Sequence, residues 1–293
     1  MKILITGASG FIGGSLKEYF NGMKDYEVFA PSSRELNCID EKAVEEYLKS
    51  RYFDVIFHCA VHAIDRGGVD DERHMIDYNM RMYLNFAKNH LYYGKMYYMG
   101  SGAEYDKRWN IVQATEEEAG KSIPIDDYGL MKYTVGQMIE KSANIYNFRL
   151  FGIFGYREDY GSKFISNICC KAIMGMPLSV RQNVYFDYLW IEDFCRMADW
   201  CMNNELKYRT YNMVSGARVS LVELCGYVKK ICQKELDVFV CREGLGREYT
   251  ASNQRFLEEC PGFAYTPVQK AVEKLYVWYR ERAKEIDVYK LLY

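Results

Sequence analysis

This sequence predicts an α/β fold, a doubly wound parallel sheet with a smaller interleaved C-terminal region, and three observations predict it. The chain opens on a short apolar strand, Lys2-Ile3-Leu4-Ile5-Thr6, which runs into Gly7-Ala8-Ser9-Gly10-Phe11-Ile12-Gly13 and then into a helix, Gly14 to Asn21. Apolar strand-like runs then alternate with runs of helical period through the first half of the chain. The loops that leave those strands carry glycine, serine and charged residues, as loops do where ligands bind at the C-terminal ends of parallel strands.

The glycines at 7, 10 and 13 let the backbone turn tightly and let a phosphate approach it, and the following helix offers free N–H groups and a positive dipole end. In strand–turn–helix context this spacing predicts a dinucleotide site. The second strand, Glu27-Val28-Phe29-Ala30, leads into Pro31-Ser32-Ser33-Arg34. The carboxylate that holds a ribose 2′-hydroxyl in NAD sites is absent there, and the Arg34 guanidinium suits a 2′-phosphate. NADP(H) is therefore expected ahead of NAD(H).

A helix over 41–50 precedes a third buried strand, Asp54 to Ala60, with His62 and Arg66-Gly67-Gly68 in the loop beyond it. Met75 to His90 reads as a helix and Lys95 to Met99 as a strand ending in Gly100-Ser101-Gly102-Ala103-Glu104-Tyr105. Asp126 or Asp127 can cap the next helix, and Asn147 to Gly155 reads as a further strand and turn. Beyond it the pattern is less regular: helices at 163–174, 191–203, 220–233 and 266–285, and strands at 185–190 and 237–241. The expected division is a dinucleotide-binding domain over 1–155, with 184–205 returning to it, and a substrate-binding region over 156–183 and 206–293.

The net charge of −2 argues against a general nucleic-acid binder. No run reaches the roughly 18–20 apolar residues of a membrane helix, and the N-terminus opens as a strand rather than on a signal-peptide plan. Ten cysteines without a Cys-x-x-Cys pair read as reduced thiols, and no metal site is expected. A cytoplasmic protein without membrane or nucleic-acid partners is the expectation.

Tyr128 and Lys132 stand four residues apart at the start of a predicted helix and so share a face. An ammonium beside a phenol favours phenolate, which lowers the phenol's pKa and makes the pair a proton donor or acceptor at a carbonyl or hydroxyl. Ser101 leaves the sheet on the same ligand side and can bond the same oxygen. With 27 tyrosines in the chain, the spacing alone is weak evidence.

Taken together, Thr6 to Gly13, His58-Cys59-Ala60, Asn79, Ser101, Tyr128-x-x-x-Lys132, Arg149-Leu150-Phe151, Asp187 to Asp193 and Tyr211 to Gly216 resemble the extended short-chain dehydrogenase/reductase family, in its nucleotide-sugar epimerase, dehydratase and reductase branch. The resemblance runs almost end to end. It implies a Rossmann domain, catalysis by Ser101, Tyr128 and Lys132, and a homodimer built through two helices, here 75–90 and 128–144. It further implies cofactor contacts from Gly7, Ser9, Gly10, Phe11, Ile12, Gly13, Arg34, Asn37, Cys38, Cys59, Ala60, Tyr128, Lys132, Phe151 and Ile153. Ser101, Gly102, Lys163 and Arg181 are the implied substrate contacts.

Departures from the family pattern narrow the reaction. Dehydratases of this branch usually carry Asp-Glu after the catalytic serine or threonine, where this chain has Gly102-Ala103. The layout around Arg34-Glu35-Leu36-Asn37 resembles GDP-fucose synthases and dTDP-4-keto-rhamnose reductases, but the epimerising cysteine and histidine of the former match Ala103 and Lys163. Gly152 replaces an asparagine and Phe186 an arginine that hold the substrate diphosphate, so Lys163 or Arg181 would have to substitute. The expected activity is NADP(H)-dependent reduction of the 4-keto group of a nucleotide-linked deoxysugar. The alternatives are an NAD-dependent 4-epimerase and a non-catalytic NADP-binding sensor or scaffold.

Overall fold

β1 (Lys2–Thr6) is buried from Ile3 onward, as a strand covered on both faces must be. The computed structural model to which it belongs describes residues 1–62 and 69–292. The expected loop positions Arg66, Gly67 and Gly68 lie outside the described residues. The chain divides into two units, the first comprising 1–108, 116–150 and 195–212, the second 109–115, 151–194 and 213–293.

The first unit is built on a six-stranded sheet ordered β10-β6-β4-β3-β1-β2, from β2 (Glu27–Phe29), β3 (Phe53–His58), β4 (Tyr93–Ser101), β6 (Ile145–Leu150) and β10 (Thr210–Met213). The pairs β1–β2, β1–β3, β3–β4 and β4–β6 are all parallel. The chain winds outward from β1 to β2 and returns to β3 on the other side. The order therefore reverses between β1 and β3, the place where doubly wound sheets bind ligands. Between the strands run α1 (Phe11–Asn21), α2 (Glu41–Ser50), α3 (Val69–Lys88) and α4 (Asp127–Ile139). Leu4, Ile56, Met96 and Ile145 of the sheet pack with Val44, Phe86, Val135 and Ile139 of the helices in one apolar core.

α4 starts where its sequence dictates. Asp126 is the N-cap, and its carboxylate accepts the Gly129 N–H at 2.9 Å. Gly129 and Gly136 lie two turns apart on its buried face. A Cβ at Gly129 would stand 2.7 Å from the Ala103 carbonyl oxygen, and one at Gly136 would stand 2.6 Å from the Glu104 carboxylate. Both glycines thus let the helix lie directly on the turn that follows β4.

The second unit carries a sheet ordered β11-β9-β13-β5, formed by β5 (Ile111–Ala114), β9 (Tyr185–Trp190), β11 (Arg218–Ser220) and β13 (Tyr249–Ala251), with β7 (Gly152–Phe154) also paired to β9. A two-stranded parallel pair joins β8 (Leu178–Asn183) to β12 (Val238–Leu245). The helices α5 (Phe164–Ile173), α7 (Leu221–Cys232) and α9 (Val268–Glu281) pack on one another, and α8 (Gln254–Glu259) is short. α6 (Ile191–Asn203) begins in this unit and passes into the first.

These boundaries differ from the expected ones: residues 109–115 and 151–155 fall in the second unit, where β5 and β7 join its sheet, and two further segments are divided differently. Residues 184–194 stay in the second unit because β9 pairs with β7, β11 and β13. Residues 206–212 join the first because β10 extends its sheet beside β6.

Asp187 in β9 is fully buried and accepts the Ser215 N–H and hydroxyl, each at 2.8 Å, through one carboxylate oxygen. Burial pushes its carboxyl up to about 7 against the opposing hydrogen bonds of Ser215 and Gly216. A carboxyl raised on folding stabilises below its unfolded value of about 4 and loses that contribution as pH climbs through about 7. Asp187→Asn should therefore gain stability relative to the wild type between pH 5 and pH 8, on the order of a few kcal/mol. Urea midpoints at the two pH values check this, and parallel changes in the two proteins would refute it.

Candidate active site

β1 and β3 end side by side, and the glycine turn sits over the reversal point between them. Gly7 adopts φ +65°, and a Cβ there would lie 2.6 Å from Ala60 N and 2.7 Å from the Cys59 carbonyl. A Cβ at Gly13 would lie 2.5 Å from the Gly7 oxygen. The structure thus brings Gly7, Gly13, Cys59 and Ala60 together, at spacings that only glycines permit. The Thr6 hydroxyl accepts the Ala60 N–H at 3.1 Å and pairs with His58 Nδ1 at 3.0 Å, tying the two strand ends. Burial, with Lys132 nearby, pushes His58 down to about 3, so the imidazole is neutral.

α1 has Gly10 as its N-cap, and among the described residues no side chain caps its first N–H groups. Its first N–H groups therefore lack both intrahelical and side-chain partners, which is what a pyrophosphate needs. Ser9 and Gly10 are exposed at the tip, with Phe11 and Ile12 half-buried behind them. A dinucleotide fits this turn.

Arg34 lies exposed in the turn after β2. Glu35 shapes that turn by accepting the Ser32 N–H at 2.8 Å and the Ser32 hydroxyl at 2.9 Å. Asn37 uses its side-chain oxygen on the Ile39 N–H, and the Cys38 thiol is pushed up to about 12 by burial. Asn79 on α3 holds the loop beyond β3: it donates to the His62 carbonyl and accepts the His62 N–H, each at 3.0 Å.

Ser101 ends β4, and its hydroxyl accepts the Ala103 N–H at 3.1 Å. It lies close enough to the Tyr128 phenol to lower that group's pKa. Lys132 is buried one turn along α4, 5.8 Å from the centroid of the Tyr128 ring. The structure therefore brings Ser101, Tyr128 and Lys132 together, as their positions in the sequence suggested, with Gly102 beside them in the turn.

The electrostatics run against the sequence expectation. The Tyr128 phenol is raised, chiefly by burial, with the neighbouring Ser101 hydroxyl opposing and Glu104 and Asp126 adding to the rise. Lys132 directs its ammonium elsewhere, to the Met99 carbonyl at 2.6 Å and the Tyr98 hydroxyl at 3.0 Å. Burial lowers Lys132 to about 8, against the charge of Glu104. Tyr128 is thus a neutral phenol at neutral pH, an acid before it is a base.

Sequence reasoning passed over Tyr98 and Glu104. Tyr98 sits three residues before the end of β4 and looked like core. Glu104 lies in the quoted Gly100–Tyr105 segment. The glycines at 100, 129 and 136 that make room for the turn are the signal that could have singled it out.

In the second unit, Phe151 and Ile153 flank Gly152 at the start of β7. A Cβ at Gly152 would stand 2.5 Å from the Asp187 carbonyl and 2.9 Å from the Tyr188 ring, so no asparagine fits there. Phe186 packs against Tyr188 and Tyr249, with ring centroids 5.6 and 5.8 Å away, and Phe151 lies 4.7 Å from Tyr249. Aromatic rings thus surround the two positions where a polar side chain was expected. Lys163, at the N-terminus of α5, and Arg181, on β8, are both exposed.

Comparison with known proteins places the chain. Residues 3–213 match the NAD dependent epimerase/dehydratase family. GDP-L-colitose synthase of Yersinia pseudotuberculosis is 32% identical over 261 residues, spanning 79% of this chain and 82% of that protein. Among solved structures, GDP-mannoheptose C4 reductase from Campylobacter jejuni, with NADP bound, superposes with a TM-score of 0.82 at 16% identity, over 95% of this chain and 98% of that one. A GDP-L-fucose synthetase from Naegleria fowleri gives 0.83 at 17% identity, over 97% and 94%. At such identities the structures speak for the fold. The protein belongs to the NAD dependent epimerase/dehydratase family, a family of NAD(P)-dependent, nucleotide-sugar-modifying enzymes of the extended short-chain dehydrogenase/reductase type.

Proposed function

We propose that the protein is an NADP(H)-dependent reductase of the 4-keto group of a nucleotide-linked deoxysugar. The observation that carries this reading is that Ser101 stands beside a Tyr128 phenol whose pKa burial raises, so that it stays protonated. A ketone gaining hydride at carbon must gain a proton at oxygen, and a neutral phenol supplies it. Tyr128 donates to O4, Ser101 holds the same oxygen, and the Lys132 ammonium stabilises the phenolate left behind. The turn Gly7–Gly13 and the start of α1 hold the pyrophosphate, and Arg34 meets the 2′-phosphate. Bound NADPH supplies the hydride.

Gly102 and Ala103 carry no acid or base, which supports reduction without elimination or ring epimerisation. Three similar proteins are named for GDP-linked sugars or their synthesis, so GDP is the first nucleotide to test. The exposed apolar residues Ile76 on α3 and Leu130 and Met138 on α4 support a homodimer through those helices. Light scattering giving a monomer mass would remove the dimer from the proposal.

The deciding experiment follows NADPH absorbance with GDP-, dTDP-, UDP- and CDP-linked 4-keto-6-deoxy sugars. Stoichiometric loss with one of them is expected. A protein that purifies with tightly held NAD and interconverts 4-epimers without net NADPH loss would instead be the 4-epimerase, which uses the same three residues. A purely cofactor-binding role would show neither, and the retention of Ser101, Tyr128 and Lys132 together argues against it.

A further inference from the structure

Beneath the Ser101–Tyr128 pair lies a charged group that the reaction does not use. Glu104 is completely buried in the turn after β4. Its Oε1 accepts the Ser101 N–H at 3.1 Å and Asn147 Nδ2 at 3.1 Å. Its Oε2 accepts Arg149 Nε at 2.6 Å and Asn147 Nδ2 at 3.0 Å. Asn147 and Arg149, two apart on β6, present their side chains to the same face of the sheet. The carboxylate also fills the space beside two glycines. A Cβ at Gly100 or at Gly136 would stand 2.6 Å from one of its oxygens. Gly100 adjoins Ser101, and Gly136 lies one turn from Lys132 on α4.

We propose that Glu104 is a positioning residue: it clamps the Ser101 backbone, sets the spacing between Ser101 and the Tyr128–Lys132 helix, and holds a fixed negative charge under that pair. A carboxylate anchored by three other residues from β4 and β6 moves less than a loop side chain, and a hydroxyl hung on that backbone inherits its rigidity. Misplacing a reacting group by about 1 Å can cost about 10²-fold in rate. The charge acts in one direction on both partners, raising Tyr128 and Lys132.

The groups around the pair are few enough to name. Tyr128 faces Ser101 of β4, Glu104 and its own helix cap Asp126. Lys132 faces Tyr98 and the Met99 carbonyl of β4, and feels His58 and Cys59 at the end of β3. Of these neighbours only Glu104 is both buried and a carboxylate.

The inference rests on the reading of Tyr128 as proton donor, and the test separates the two. Lysine Cε carbons are labelled for NMR, and the Lys132 signal is assigned by its loss in Lys132→Met. In the apo wild type Lys132 should titrate at about 8. In Glu104→Gln, which keeps an acceptor for Ser101 but removes the charge, the titration should move to lower pH. The alkaline limb of kcat/KM for carbonyl reduction should move the same way. Glu104→Ala, which also removes the clamp, should lower kcat about 10–100-fold with KM little changed. If burying Arg149 alone unfolds Glu104→Gln, the double variant Glu104→Gln/Arg149→Met removes the pair together and serves instead. A folded variant with Lys132 titration, pH limb and kcat all unmoved overturns the role of Glu104. Full turnover in Tyr128→Phe overturns the reading beneath it, whatever Glu104 does.

Discussion

Replacing Tyr128 by phenylalanine should lower kcat for carbonyl reduction by about 10²–10⁴-fold and leave NADPH affinity within about twofold. The ring is half-buried and fills the same volume in either residue, so the variant loses a hydroxyl and little packing. On the proposed mechanism, what it loses chemically is the proton for the substrate oxygen and the hydroxyl beside Ser101. The proton then has to come from Ser101 or from water, neither of which has an ammonium one helical turn away to stabilise the resulting anion. Stopped-flow fluorescence of bound NADPH separates binding from turnover. Loss of both together would mean that Tyr128 holds the cofactor rather than the proton. The rise of the phenol's pKa adds a pH signature: activity in the reductive direction depends on protonated Tyr128 and should persist on the alkaline side until the phenol or Lys132 deprotonates. With Lys132 at about 8, the lysine sets the first loss.

The sheet and the site were not equally legible in the sequence. Buried parallel strands announce themselves as apolar runs, and the glycine triplet fixes both the turn and its register with α1. β1, α2, β9 and α6 accordingly begin and end close to where their sequences suggest. The strands of the second unit are three to eight residues long, and several are partly exposed, so β5, β8, β11 and β13 gave no signal above that of a loop; nor did β10, the four-residue edge strand of the first sheet. Tyr128 and Lys132 were legible as a pair because a helix places residues four apart on one face, and Ser101 because it ends a strand on the ligand side of the sheet. The direction of the phenol's shift was not, because it turns on burial and on where Lys132 points. Tyr98 and the Met99 carbonyl claim the ammonium, and no spacing rule contains that. Glu104 was harder to read for a related reason, since its partners Asn147 and Arg149 are 43 and 45 residues away in the chain and only the glycines around it hint at the space it fills.

The largest stability effect should come from the far end of that network. Arg149 is 2% exposed and Glu104 0%, and they meet at 2.6 Å. Burial works against the guanidinium's charge, and Glu104 and Tyr105 together outweigh it, holding Arg149 above its ordinary value. Arg149 also donates to the Tyr105 hydroxyl at 3.3 Å and to the Glu116 carbonyl at 3.2 Å. Arg149→Met fills a similar length with apolar atoms but leaves a buried carboxylate with only neutral donors, which should cost about 3–5 kcal/mol in urea unfolding. Adding Glu104→Gln should recover most of that loss, because the charge is then gone from both sides, and the two changes should be strongly non-additive. An uncompensated carboxylate takes up a proton more readily, so the deficit of the single variant should narrow as pH falls. A loss below about 1 kcal/mol would mean that Ser101 and Asn147 suffice to hold the charge. Recovery of stability without recovery of turnover in the double variant is the expected combination, since packing tolerates a neutral pair and the Ser101–Tyr128–Lys132 electrostatics do not.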